Sequence, residues 1–152
     1  MAQITGGTTE ITVTLNLLAL GATLAQLGKA TVTQGTNPVV TFPITGGSVN
    51  SEDYIIEHQN SGLQINGTNP PSALDTQNYV VNTGNKVVNA IISNGTSETG
   101  LFTLGSSGLS NVPLTLTSEA VSVLNKAFGL SGGDELTTTT PIGTLTSSPT
   151  VK

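Results

Sequence analysis

Hydrophobic and polar residues alternate with a period of two along most of the chain, and Gly, Pro, Asn and Ser interrupt the alternation at short intervals. Such alternation is typical of strands with one buried face, and the interruptions are typical of turns. The pattern predicts about ten short strands, centred on residues 11–15, 30–32, 40–44, 54–57, 63–65, 79–81, 87–92, 101–104, 112–116 and 142–145.

Turn chemistry refines this prediction at three places. Gly46 and Gly47 predict a tight turn, and residues 66–72, which include two prolines, predict a loop. Pro43 cannot donate to a ladder, so its strand is expected at a sheet edge or at a bulge.

One stretch changes to a helical period. Thr117 or Ser118 can cap its start, and Gly129 can supply a left-handed stop. Between them, apolar side chains recur on one face, which predicts a helix over about residues 118–128: Val121, Leu124 and Phe128. Asn16 before a leucine-rich segment, with Gly21 after it, predicts a short helical turn near residues 17–20.

These elements predict a mainly β fold, an antiparallel β-sandwich of immunoglobulin-like or jelly-roll-like type with one helix in its C-terminal half. A chain of 152 residues is long enough for one domain with a core of its own, so residues 1–152 are predicted to form a single domain. Residues 1–10, set off by Gly6 and Gly7, are expected to form an extended N-terminal arm.

Charged residues are scarce. Four lysines, no arginine and nine carboxylates give a net charge of −5, and the lysines are scattered. This composition argues against nucleic acid binding, which needs clustered cations. The polar surface comes instead from hydroxyl and amide side chains, including 26 threonines. Little repulsion is then expected between copies, which favours a homo-oligomer or polymer.

Several chemistries are excluded or disfavoured by composition. The chain lacks cysteine, which excludes thiol nucleophiles, zinc–thiolate sites and iron–sulfur clusters. No apolar window is long enough to span a membrane. A nucleophile of the Ser-His type would have to use His58, the single histidine, and no motif places a serine beside it. The sequence therefore predicts a protein that is not an enzyme and has no cofactor.

Two weak candidate sites are present. Tyr54, His58 and Tyr79 could contact a small ligand from neighbouring strands, although the more ordinary interpretation of His58 is a half-exposed histidine at a strand end. Glu52, Asp53 and Glu57 could offer oxygen ligands to a hard cation, or they could form a solvated acidic edge.

A third candidate is a surface for self-association. Ile11, Val13 and Leu15 lie on a threonine-rich strand that follows a glycine break. We expect these residues to mediate pairing between strand edges or exchange of a terminal strand.

The order of four segments, with a closing PIGTLT, resembles secreted bacterial proteins related to the haem-transport-associated (HtaA-like) domain: TVTLNLLALGATLAQLGKATV, FPITGGSVN, YIIEHQNSGLQI and VPLTLTSEAVSVLNKAFG. The chain looks most like the variants in cell-surface proteins that are sorted through PEP-CTERM-type anchors. The resemblance implies an extracellular, mostly antiparallel β-sandwich with a helix near its C-terminal end. In haem-binding members, a tyrosine of an aromatic-rich N-terminal segment ligates iron, whereas the matching TTEITVTLNLLALG has no aromatic residue.

Two functional hypotheses follow. The first is a non-enzymatic secreted or cell-surface structural protein, a surface or matrix subunit that assembles into filaments, as in a biofilm matrix, by β-edge pairing or strand exchange. The alternative is a small-ligand, haem-type binding module of the HtaA-like kind.

Overall fold

The computed structural model describes residues 2–68, 71–93 and 97–152. Within these ranges the chain forms eleven antiparallel strands, two α-helices and one 3-10 turn. Their bounds are β1 (Ala2–Val13), α1 (Leu17–Leu20), β2 (Ala22–Gly28), β3 (Thr31–Thr33), β4 (Val39–Pro43), β5 (Gly46–Asn50), β6 (Asp53–Thr68), β7 (Pro71–Asn82), β8 (Val87–Ile92), β9 (Glu98–Leu104), β10 (Val112–Leu116), α2 (Ser118–Phe128), the 3-10 turn (Gly132–Asp134) and β11 (Gly143–Val151).

Hydrogen bonding between the strands closes on itself. Strands β5 to β11 pair in chain order, and β1 pairs with β11 along one edge and with β5 and β4 along the other. Three strands lie off this ring, because β4 pairs with β1, β3 pairs with β4, and β2 pairs with β6. Side chains of strands that are not neighbours meet inside, as where Phe42 of β4 stacks on Tyr79 of β7 with ring centroids 4.6 Å apart. The predicted mainly β, sandwich-like architecture is confirmed.

The N-terminal residues do not form a detached arm. Residues 2–10 are extended, as predicted, but they belong to β1, which pairs with β11 from Ile4 to Val13. On the opposite edge, Ala2 and Gln3 pair with β5, and residues 8–12 pair with β4. The backbone of β1 is therefore used on both sides, and the predicted arm is corrected to a central strand. Residue 1 lies outside the described residues.

The paired strands β6 and β7 are much longer than predicted. Their register shifts between His58 and Gly62, and Asn60 and Asn78 adopt left-handed φ values of 61° and 56° at this level. The Asn60 amide donates to Asn78 Oδ1 at 3.0 Å, which holds the two irregular positions together. Such bulges bend a strand. As a result the first half of β6 pairs with β5 and its second half pairs with β2.

Three local predictions are wrong because long-range pairing overrides local turn chemistry. Residues 66–68 and 71–72 continue β6 and β7, and residues 69–70 lie outside the described residues. Gly46 and Gly47 begin β5 and do not form a turn. β4 lies between β1 and β3 and is not an edge strand. Its pairing with β3 stops at Thr41, so Pro43 lies beyond that pairing.

Both predicted helices are present. Thr117 Oγ1 accepts from the Ala120 amide at 3.1 Å, and Gly129 ends α2 in the left-handed conformation, as expected from the local sequence. Of the predicted apolar stripe, Phe128 is buried, whereas Val121 and Leu124 are half-buried against the core. The single turn α1 is capped by Asn16, whose Oδ1 accepts from the Ala19 amide at 3.2 Å.

Candidate functional site

The predicted ligand residues His58 and Tyr79 lie in the core. They face each other on β6 and β7, and each is at most 2% exposed. His58 Nδ1 lies 2.8 Å from the Tyr79 carbonyl oxygen, and Nε2 lies 2.7 Å from Thr9 Oγ1. Thr9 Oγ1 is in turn 2.8 Å from Ser147 Oγ on β11. The histidine is thus neither a ligand at the surface nor the half-exposed strand-end residue of the alternative prediction.

The directions of these hydrogen bonds follow from the chemistry of each group. A carbonyl only accepts, so His58 Nδ1 carries the proton, and burial lowers the pKa of His58, with the Tyr79 carbonyl opposing this shift. Nε2 of the neutral ring then accepts from Thr9, and Ser147 donates to Thr9. The chain of bonds runs from β11 through β1 and β6 to β7, and it joins four strands through the core.

Tyr79 is bound in a second set of hydrogen bonds. Thr76 Oγ1 donates to the Leu63 carbonyl at 2.7 Å, so the Tyr79 hydroxyl, 2.6 Å away, donates to Thr76. Burial raises the pKa of Tyr79. A phenol held neutral and already bonded is a poor ligand for a metal. Together with its stacking on Phe42, this makes Tyr79 a structural residue of the core.

Tyr54 does not join this pair. It lies on the same face of β6 as His58, four residues earlier, which separates the two by about 13 Å along a strand. Its side chain is half-buried, and its backbone amide donates to Thr83 Oγ1 at 2.8 Å. The structure therefore brings together only two of the three predicted ligand residues.

The acidic residues lie on the outside. Glu52 is in the turn before β6, and Asp53 and Glu57 share the outward face of that strand, where Glu57 is half-buried and the other two are exposed. Across residues 2–68, 71–93 and 97–152, no three His, Cys, Asp or Glu side chains are grouped so that they could hold a metal ion.

The residues predicted to mediate self-association are inside the fold. Ile11 and Val13 are 5% and 6% exposed, and Leu15 is half-buried against the core. Because β1 is paired on both edges, Ile11 and Val13 offer no free strand edge in this fold. Leu15 lies beyond the end of β1, and its amide donates to the Ile142 carbonyl.

A cavity of about 60 Å³, partly open to solvent, lies beneath the two helices. It exceeds the space that one water needs, but its lining offers water no hydrogen bond. All fourteen lining residues are apolar, and they come from both helices and from the strands beneath them: Val13, Leu15, Leu17, Leu20, Ala22, Leu24, Leu63, Ile65, Phe102, Leu116, Leu124, Phe128, Leu136 and Ile142. A second cavity of about 30 Å³ shares Ile65, Phe102, Leu116 and Leu124 with it and extends under α2.

A surface cleft of about 420 Å³ lies on the other side of α1. It runs between β2 and residues 34–38, and it shares Leu17, Ala22 and Leu24 with the inner cavity. These three side chains therefore form the wall between cleft and cavity. Leu18, the next residue of α1, is 91% exposed at the mouth of the cleft.

Comparison with known proteins bears on the fold. No family model matches the chain, and no curated protein matches it. Among solved structures, it is similar to the C-terminal domain of HtaA from Corynebacterium glutamicum, with a TM-score of 0.68 and 13% identity over the whole of both chains. The fold is HtaA-like. At this identity, the likeness shows the fold alone.

Haem ligation by His58 or Tyr79 does not fit this HtaA-like fold. His58 and Tyr79 are buried and use their ring nitrogens and hydroxyl in hydrogen bonds within the core. All side chains that line the cavity beneath the helices are apolar, and none of them can ligate iron. The N-terminal segment that lacks aromatic residues forms β1 and α1 at this same end of the fold.

Sequence reasoning missed the cavity. The regular spacing of Leu17, Leu20 and Leu24 is its one local signal, but such spacing is equally typical of an ordinary packed helix. The far wall comes from β6, α2 and the segment around Ile142, which no local pattern brings together.

Proposed function

We propose that this chain is a non-enzymatic, secreted or cell-surface domain that binds a small apolar ligand at the helix end of its HtaA-like fold. The observation that carries the proposal is the cavity lined only by apolar side chains beneath α1 and α2. Apolar cavities bind apolar molecules. A volume of about 60 Å³ is smaller than such a ligand, so binding requires the single helical turn α1 to move outward.

The arrangement of the ionisable groups favours a role without catalysis. A catalytic base must reach a reacting group with a pKa matched to its task. Burial depresses the pKa of His58, whose two nitrogens are bonded within the core, so the sole histidine is ill-placed for proton transfer.

The proposed location rests on the surface chemistry and on resemblance. A surface made from threonine, serine and asparagine, with few ions, is unusual for intracellular enzymes. The sequence also resembles variants carried by surface proteins with PEP-CTERM-type anchors. No helix among the described residues has the length and apolar character needed to cross a membrane.

Titration with the neutral fluorescent probe N-phenyl-1-naphthylamine tests the proposal. We expect saturable binding by the wild type and loss of binding by Leu20→Trp, because Leu20 lines the cavity and the larger ring fills it. Val151→Trp is the control, since Val151 is 45% exposed and lines neither the cavity nor the cleft beside it. Absence of saturable binding, or equal binding by both variants, would contradict a ligand site in this cavity.

A haem titration tests the haem-type alternative directly. We expect no Soret band that is sensitive to Tyr54→Phe, His58→Gln or Tyr79→Phe. A ligand-type Soret shift that any of these substitutions abolishes would restore haem ligation as the function.

The structural-subunit function predicted from the sequence is our second proposal. The observation that favours it is Ile55, which is 41% exposed on the outward face of β6 between Asp53 and Glu57. Contact between copies would bury this side chain. Sedimentation velocity and electron microscopy over a concentration series should show association that Ile55→Ser weakens, and a monomer at every concentration would exclude it.

A further inference from the structure

The cleft and the cavity differ in chemistry but adjoin each other. The cavity is apolar throughout, whereas the rim of the cleft carries neutral polar side chains: Asn16, Thr23, Gln34 and Thr36. Building on the proposed function, we infer that the ligand is an uncharged amphiphile with one apolar chain, whose tail enters the cavity past Leu17 while its neutral head group stays in the cleft.

The polar rim is arranged to meet a head group. Gln34 Nε2 donates to the Leu24 carbonyl at 3.0 Å, which fixes the amide and turns its Oε1 away from that bond. Asn16 Oδ1 caps α1, so its Nδ2 is left as the donor that can face outward. The rim therefore offers both an acceptor and a donor to a hydroxyl-bearing head group.

The absence of charge in the lining sets the class of head group. Neither the cleft nor the cavity is lined by Asp, Glu, Lys or His among the described residues. A carboxylate or ammonium placed against these leucines would lose part of its hydration without gaining a counterion. A neutral head group loses less and can form the available hydrogen bonds.

The helix α1 is the movable part of the wall. It is a single turn between the Asn16 cap and Gly21, whose φ is 66°, and so short a helix has little stability of its own. Leu17 and Leu20 reach inward, whereas Leu18 is exposed, so a small displacement of α1 joins the cleft to the cavity. The cavity is smaller than a long chain, which makes this displacement a requirement for binding.

Displacement of bound N-phenyl-1-naphthylamine by three ten-carbon compounds, each below its micelle concentration, tests the inference. We expect 1-monodecanoylglycerol to compete at least about tenfold better than decanoate or decyltrimethylammonium, because a charged head lacks a partner. In a shorter neutral series, affinity should rise about fourfold for each added methylene until the cavity is full.

A charge-introducing substitution makes the test specific to the cleft. Gln34→Lys should improve competition by decanoate at least about tenfold, since it supplies the missing counterion. It should weaken competition by the neutral compound, because lysine removes the acceptor that Gln34 offers to the head group. Gln77→Lys, at an exposed glutamine outside the cleft, is the matched control and should have no effect.

The outcomes separate the two levels of the proposal. If the probe binds but decanoate competes as well as the glycerol ester, or if both lysine variants behave alike, the inferred ligand class is wrong while the apolar site stands. If neither the probe nor any of the three compounds binds, the proposed function fails as well.

Discussion

The bond between the Tyr79 hydroxyl and Thr76 makes a quantitative prediction about the stability of the core. Both groups are buried, and the two oxygens are 2.6 Å apart. The Thr76 hydroxyl in turn donates a hydrogen bond to the Leu63 carbonyl. Tyr79→Phe removes only the donor at the end of this chain, and the ring keeps its stacking on Phe42. We expect the free energy of unfolding to fall by about 0.5–1.5 kcal/mol.

Thr76→Val has a different consequence although it conserves volume. It leaves the Tyr79 hydroxyl buried without an acceptor and the Leu63 carbonyl without the threonine donor. An unsatisfied buried donor costs about 1–3 kcal/mol, so this variant should be the less stable of the two. The double variant, Tyr79→Phe with Thr76→Val, has no tyrosine hydroxyl to leave without an acceptor. The double variant should therefore be no less stable than Thr76→Val alone, with a coupling energy of about 1 kcal/mol or more.

Urea unfolding followed by far-UV circular dichroism measures these differences, and an unchanged slope would show that the compactness of the states is preserved. Tyr79→Phe combined with Thr115→Val, a half-buried threonine on β10, is the control pair and should be additive within about 0.5 kcal/mol. If the changes in the free energy of unfolding caused by Tyr79→Phe and Thr76→Val were additive, the proposed direction and strength of the hydrogen bond would be refuted.

Two further predictions concern the histidine and one glycine. Burial lowers the pKa of His58 in the folded state. As the pH falls through about 6.5, His58 therefore becomes protonated in the unfolded chain but stays neutral in the folded chain. The free energy of unfolding should hence decrease between pH 7 and pH 5 more steeply in the wild type than in His58→Gln, and parallel curves from urea unfolding would contradict this. Gly143→Ala should destabilise the fold by about 1–3 kcal/mol, because its new Cβ would strike the Thr12 carbonyl of β1. Gly133→Ala, where nothing lies within 4 Å, should be nearly neutral, and equal melting temperatures for the two variants would refute the clash.

Local signals were sufficient to predict the helices. The caps of α2 and α1 are encoded within one turn of each end, by Thr117 and Gly129 in one case and by Asn16 and Gly21 in the other. The bounds of both helices therefore match the prediction. The alternation of apolar residues likewise placed most strands, although it underestimated the length of β6 and β7.

The pairing of the strands could not be predicted from the same signals. The sequence around His58 is polar, which suggests a strand end, yet its partner Thr9 lies 49 positions away and the two meet inside the core. Gly6 and Gly7 suggested a break, but both lie within β1. Gly7 lies against the Ser148 carbonyl, where a side chain would not fit. In each case the deciding contact comes from a strand that is distant in sequence, and a local window does not contain it.

Closure of the sheet by its first and last strands has a kinetic consequence. Thr9 and Ser147 hydrogen-bond across 138 positions of sequence, so nearly the whole chain must be ordered before this seam can form. Such contacts close the largest possible loop and slow folding. A nascent chain would then stay open until its final strand has been synthesised.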